Sequence, residues 1–131
     1  MAFRVADSEI RHPDGKIVFR QTAIEVPADW SQVATDVLAQ KYFRRAGVAR
    51  HLVRIAEPDV PEWLWRSAPN GAALARLPLE ERYGGETSAQ QVFHRMAGTW
   101  TYWGWKGGYF DSEKDARAFY DEHCYMLAAQ I

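Results

Sequence analysis

The chain has 131 residues, with 16 Lys and Arg against 17 Asp and Glu, and a formal net charge of −1. That length suggests one domain, residues 1–131, and the near-neutral balance offers no global basic field to recruit nucleic acid. The single cysteine, Cys124, excludes an intrachain disulfide and a Cys-based zinc site and fits a reducing, cytoplasmic setting; no apolar run approaches the ~20 residues that span a bilayer, and Met1–Asp7 lacks the apolar core of a signal peptide.

Residues 1–26 read as a β-hairpin. Phe3–Ile10 partly alternates, His12-Pro13-Asp14-Gly15 is a turn in which Pro fixes φ and Gly supplies the exit, and Lys16–Val26 is rich in β-branched residues. Pro27 ends the second strand. A helix is expected over 29–46, with Asp29 as N-cap, Gln32 completing a capping box and Gly47 as the stop. Its apolar stripe reads Val33, Val37, Leu38, Lys41 and Tyr42, with the Lys41 stem at the edge. Arg44 and Arg45 fall in its last turn, where cations suit the helix dipole. Residues 48–86 read as irregular, because Pro58, Pro61, Pro69 and Pro78 interrupt any long helix. Short turns are expected at Pro61–Arg66 and Ala72–Leu77, and Gly84-Gly85 reads as a hinge.

Residues 88–130 read as an antiparallel αα-hairpin. The first helix opens at Thr87 or Ser88, with Gln90 or Gln91 completing a capping box. Val92, Phe93, Met96, Ala97, Trp100 and Trp103 share its apolar face, and Gly104, Gly107 and Gly108 close it. The second helix restarts at Ser112 and turns Ala116, Phe119, Tyr120, His123, Met126 and Leu127 inward. Trp103, Trp105, Tyr109 and Phe110 fill the bend. The expected class is therefore mainly α with a small β-hairpin (α+β).

No catalytic or metal constellation stands out. His94 points away from the apolar stripe of its helix, and His123 lies on the apolar face of its own. His12 and His51 have no evident partner, and no His-Glu-x-x-His spacing is present. Neighbours diverge around a helix, so His123 and Cys124 do not make a base–nucleophile pair. Gly104-Trp-Lys-Gly-Gly108 lacks the phosphate-loop pattern and follows a helix, not a strand. Lys106 reads as a solvated lysine at a helix corner. Glu80, Glu81, Asp111, Glu113, Asp115, Asp121 and Glu122 read as solvated helix faces. The aromatic run itself reads either as a structural corner or interface, or as a platform for stacked bases; the missing basic groove favours the first.

The run Gly98-Thr-Trp-Thr-Tyr-Trp-Gly-Trp-Lys-Gly-Gly-Tyr-Phe110, followed by Asp115-Ala-Arg-Ala-Phe-Tyr-Asp-Glu122 and Tyr125-Met-Leu-Ala-Ala-Gln130, resembles the N-terminal region of class II ribonucleotide reductases. Val26–Val48 resembles the same family's first helix, in the same order along the chain. These enzymes depend on adenosylcobalamin and make deoxyribonucleotides. The resemblance implies an N-terminal structural or docking domain that packs on a catalytic α/β barrel, in cis or as a split subunit. It also implies adenosylcobalamin and a thioredoxin-type reductant for the full enzyme. The chain itself is expected to bind no cofactor and no metal, and to be inactive in isolation, since one cysteine does not supply the redox pair and the thiyl position. The expected docking residues are Trp100, Trp103, Trp105, Lys106, Tyr109 and Phe110. A stand-alone nucleotide-binding or regulatory module is the alternative, and an independent small enzyme the third reading.

Overall fold

The computed structural model describes residues 1–130; Ile131, the last residue of the expected domain range, lies outside the described residues. The chain opens with β1 (Phe3–Arg11) and β2 (Ile17–Pro27), paired antiparallel. Their turn closes through the Gly15 N–H, which donates to the His12 carbonyl at 2.8 Å, with Gly15 at φ +89°. The Asp14 carboxylate accepts from the Lys16 N–H at 2.9 Å. Side chains alternate across the ribbon, and on β2 this turns Ile24 and Val26 fully into the core.

The register shifts between Ala6 and Ser8, where Asp7 faces two residues of β2, and the one extra residue leaves Ala23 at φ +56°. The Ala23 N–H is held there by the Asp7 carboxylate at 3.1 Å. A Cβ in the left-handed region is strained by about 1–2 kcal/mol. Glycine relieves that strain but has a looser unfolded chain. Ala23→Gly is therefore expected to stabilise the protein by about 0.5–1 kcal/mol, read as a higher denaturation midpoint at unchanged slope.

The first helix departs from expectation. It starts later, at α1 (Gln32–Val37), capped by Ser31, whose Oγ accepts from the Ala34 N–H at 3.1 Å. It then widens into a π-helical turn over Leu38–Tyr42. The buried face of the helix runs through Thr35, Leu38 and Ala39, and the wider turn adds Phe43, whose N–H donates to the Leu38 carbonyl at 3.0 Å. Leu38, Ala39 and Phe43 are buried, whereas Val33, Val37 and Tyr42, read as the inward stripe, are exposed.

The class "mainly α with a small β-hairpin" is corrected by the segment after Gly47. Besides β1–β2, β3 (Val48–Ala49) pairs with β6 (Tyr83–Gly84), and β4 (Leu52–Arg54) pairs with β5 (Ser67–Pro69), both antiparallel. Between β5 and β6 lies the one-turn helix α2 (Gly71–Leu74), capped by the Asn70 side chain. The fold is thus an α+β mix, with three two-stranded sheets among the described residues. Prolines that forbid a long helix do not forbid such strands: Pro69 occupies a β5 position opposite Leu52 whose missing N–H faces away from the pairing.

α3 (Ala89–Lys106) and α4 (Glu113–Ala129) complete the chain. The core forms where β2, the π-turn, α3 and the end of α4 meet: Ile24, Val26, Trp30, Leu38, Phe43, Val92, Phe93 and Ala128. Trp30 packs edge-on to Phe93 at 5.8 Å and donates its indole N–H to the Ala128 carbonyl at 2.6 Å. That bond fastens the end of α4 to the residue that follows the hairpin, with the indole's polar end satisfied.

Candidate docking surface

The helical hairpin is set by its caps. Ser88 Oγ accepts from the Gln90 N–H at 3.1 Å, while Gln91 Oε1 accepts from the Ser88 N–H at 3.0 Å, a reciprocal capping box. Ser112 Oγ accepts from the Asp115 N–H at 3.2 Å and starts α4. Between them Gly107 closes α3, and Gly108 turns the chain at φ +74°. Gly104 lets the Phe110 ring lie against the helix, since a Cβ there would sit 2.7 Å from Phe110 Cε2.

The aromatic residues divide into two sets. One set holds the hairpin to the segment before it. Trp105 donates its indole N–H to the Asp59 carbonyl at 2.7 Å, Tyr102 donates its hydroxyl to Glu57 Oε1 at 2.6 Å, and Lys106 Nζ donates to Glu57 Oε2 at 2.9 Å. The Tyr102 hydroxyl, and after it Lys106, hold the Glu57 carboxyl below its usual range. The same contact raises Tyr102 and Lys106. Lys106, read as solvated, is thus an internal partner.

The other set is a ladder of rings running from the bend up the hairpin. Phe110 lies 5.3 Å from Phe119, Phe119 4.4 Å from His123, and His123 5.2 Å from Trp100. Phe110, Phe119 and His123 are half-buried. At its edge the ladder opens to solvent: Trp103 is 63% exposed, Tyr109 83%, Met126 42% and Trp100 38%. The inward placement expected for Trp100, Trp103 and Met126 is corrected here. They share the predicted helical faces, but α3 and α4 bury their small residues Ala97, Thr101 and Ala116 against the fold and leave the large rings outside. Of the six expected docking residues, Trp100, Trp103 and Tyr109 present open surface. Phe110 packs against Phe119 and the helix at Gly104, and Trp105 and Lys106 face the preceding segment.

Other residues escaped the sequence reading. Glu86 is fully buried and accepts from Arg95 Nη2 at 3.0 Å, from the Arg44 N–H at 2.8 Å and from Arg44 Nη2 at 3.4 Å. Burial pulls its carboxyl upward, but the Arg95 and Arg44 donors outweigh burial, so the net direction is downward. No periodicity marks an acid between a Gly-Gly pair and a helix cap as internal. Trp63 donates to Glu113 Oε1 at 2.9 Å, and the Arg117 guanidinium lies 5.1 Å from its ring centroid. His94, exposed over part of its ring, bonds through Nδ1 to the Tyr120 hydroxyl at 2.7 Å. Burial, with Cys124 alongside, pushes the Tyr120 phenol up to about 12, and burial raises the Cys124 thiol. A thiol held protonated is a poor nucleophile.

The family model for class II vitamin B12-dependent ribonucleotide reductase matches residues 4–130. The chain belongs to that family. It is 62% identical over 129 residues to the vitamin B12-dependent ribonucleotide reductase of Bradyrhizobium diazoefficiens and 63% identical over 128 residues to that of Agrobacterium fabrum, covering 98% of this chain in each. The reductase of Rhodopirellula baltica is 33% identical over 70 residues, or 47% of the chain. The chain spans 10% of the length of the first two relatives.

The family is vitamin B12-dependent, so the described surface bears on where a corrin fits. One groove of about 710 Å³ is an open shelf of Trp63, Glu113, Lys114, Arg117, Ala118 and Asp121. Another, of about 550 Å³, runs between the start of β1 and the helices, past Phe3, Phe93, His94 and Tyr120. A cofactor site encloses most of its ligand's surface. The first groove is an open, charged shelf, and in the second the His94 Nδ1 is already bonded to the Tyr120 hydroxyl. Among the described residues no cluster of three His, Cys, Asp or Glu side chains forms a metal site, and no described helix is long and apolar enough to cross a membrane.

Proposed function

We propose that this chain acts as the N-terminal structural and docking domain of a vitamin B12-dependent ribonucleotide reductase, packed on the catalytic α/β barrel of that enzyme in cis or as a split subunit. The observation that carries the reading is the open aromatic edge of the helical hairpin, Trp100, Trp103 and Tyr109, on a chain that matches the family from residue 4 to residue 130. Exposed aromatic clusters on an ordered scaffold mark interaction sites, and Trp and Tyr are the residues on which binding energy concentrates.

In the assembled enzyme the ribose 2′-hydroxyl is replaced by hydrogen. Adenosylcobalamin, held by the remainder of the enzyme, supplies the radical when bound, and a thioredoxin-type reductant restores the cysteines. This chain's own residues contribute surface and rigidity: Trp103 and Tyr109 as contacts, Phe110 and Phe119 as their support, and the Glu57 contacts as the brace that fixes the hairpin's far side.

The test mixes the chain with the remainder of the Bradyrhizobium reductase, cut to lack the matching N-terminal residues, and adds adenosylcobalamin, a dithiol and ribonucleotide. Deoxyribonucleotide formation that requires both pieces is the expected result. A remainder that works equally well alone, and never associates with the chain, would overturn the proposal.

A further inference from the structure

The ribbon β4–β5 is left bare on both faces. All seven residues from Arg50 to Ala56 are exposed, among them Leu52 at 56%, Val53 at 48% and Ile55 at 43%. A two-stranded ribbon is marginal in water without a covered face. Its hydrogen-bond register shows which side is open. The Asn70 N–H donates to the His51 carbonyl at 3.0 Å, and the Ile55 N–H donates to the Arg66 carbonyl at 2.8 Å. The pairs His51–Asn70 and Ile55–Arg66 therefore turn their main-chain groups toward each other. Alternation then directs the N–H and C=O of Leu52 and Arg54 to the opposite edge. β4 has β5 as its one described neighbour, so that edge is unpaired.

The sequence that carries the edge is cationic. Between Asp36 and Glu57 the chain carries Lys41, Arg44, Arg45, Arg50 and Arg54 and no carboxylate. Natural edges are shortened, charged, covered or broken by proline; β4 is short and carries Arg54, but nothing described covers it. Here the nearby proline, Pro69, sits on the partner strand, and Leu52 and Arg54 keep their outward N–H groups.

We infer that the free edge of β4 takes up an extended, acidic segment from the remainder of the reductase polypeptide, which adds a third strand beside Leu52–Arg54. This rests on the docking role proposed above and names a second contact for it. The relatives hold about nine-tenths of their length outside the matched region, which supplies the occupant. Its main chain would bond Leu52 and Arg54, and its carboxylates would face Arg50 and Arg54. Strand addition of this kind draws its strength from main-chain bonds and its selectivity from alternate side chains.

The test is amide hydrogen exchange on the isolated chain and on the full-length Bradyrhizobium reductase carrying this sequence in place of its own N-terminal residues. The Leu52 and Arg54 amides are expected to slow by about 100-fold or more in the full-length protein. Leu52→Pro removes the outward N–H and spares the inward pairing. It is expected to weaken association with the separate remainder by at least about tenfold, a loss that Leu52→Ala does not reproduce. Should Leu52→Pro fail to fold, the exchange data on the unmodified protein still decide. Unprotected amides in a full-length protein whose Trp103 fluorescence shows burial would overturn the strand inference and leave the docking reading standing. Unprotected amides with Trp103 also exposed would overturn both. Protection that appears in the isolated chain and rises with its concentration would assign the edge to a second copy and overturn the inference.

Discussion

Arg95→Ala is expected to destabilise the isolated chain by about 3 kcal/mol, because it strips the closest side-chain partner from a buried carboxylate. Glu86 has no exposed side-chain surface, while Arg95 keeps a third of its own. Removing the acid therefore leaves a cation that water can still reach, whereas removing the arginine leaves an anion that water cannot. What remains is the Arg44 N–H at 2.8 Å and the Arg44 guanidinium at 3.4 Å from Oε2, a weak replacement for the lost cation. Glu86→Gln retains the shape and some of the hydrogen bonds, and about 1–2 kcal/mol is expected for the lost charge-assisted bonds. The order Arg95→Ala above Glu86→Gln is read from urea midpoints at unchanged slope. Equal midpoints for Arg95→Ala and the parent chain would remove Glu86 as a determinant of the fold.

The same residue sets a pH dependence. Its carboxyl lies below its unfolded value, despite burial, because Arg95 and Arg44 favour the charged form. A lowered folded pKa means that the unfolded chain binds the proton first as pH falls. The contribution is therefore complete above the unfolded value, near 4.3, and is lost as pH drops through the lower folded value. The stability difference between the parent and Glu86→Gln should stay constant from pH 7 to about pH 5 and close at more acidic pH. A gap that held constant to pH 2 would contradict the ion pair.

Why Glu86 matters is visible in what it joins. Its carboxylate meets the chain leaving the π-turn at Arg44, and Arg95 also donates to the Tyr42 carbonyl at 2.9 Å. Its own carbonyl accepts from the Gln21 side chain at 2.9 Å, and its N–H donates to the Arg44 carbonyl at 2.8 Å. One residue thus ties β2, the exit of the π-turn and α3. A sequence shows an acid in a loop; it does not show that two arginines, 42 positions before and 9 positions after, converge on it.

What the sequence does show is local chemistry. Ser88 with Gln91, Ser112 with Asp115 and the turn at Gly15 are readable because each involves residues within a few positions. The family resemblance is readable for a related reason: an aromatic run this unusual is itself a signature. Faces are less secure. A π-turn of five residues, Leu38–Tyr42, brings Phe43 rather than Tyr42 to the buried side, and no periodicity rule anticipates it. Strands of two or three residues carry too little alternation to detect, so β3 to β6 read as irregular. The aromatic corner shows the same limit: Trp100, Trp103 and Met126 fall on apolar stripes yet face outward. A stripe says that a face is apolar, not whether this chain or another molecule covers it.

That ambiguity yields the second large effect. Trp103→Ala with Tyr109→Ala is expected to weaken association with the separated remainder of the reductase by about 100-fold or more, since central Trp and Tyr contacts each contribute about 2 kcal/mol or more. The isolated chain should hardly notice, within about 0.5 kcal/mol, because both side chains are already more than half exposed. Phe110→Ala supplies the contrast. Its ring fills the notch above Gly104 and packs at a tilt against Phe119, so its loss should lower the stability of the chain itself before it affects any partner. Titration calorimetry at fixed salt separates the cases. A double variant that binds as tightly as the parent would place the contact elsewhere on the chain. A double variant that unfolds would mean that the two rings serve the fold after all, against their exposure.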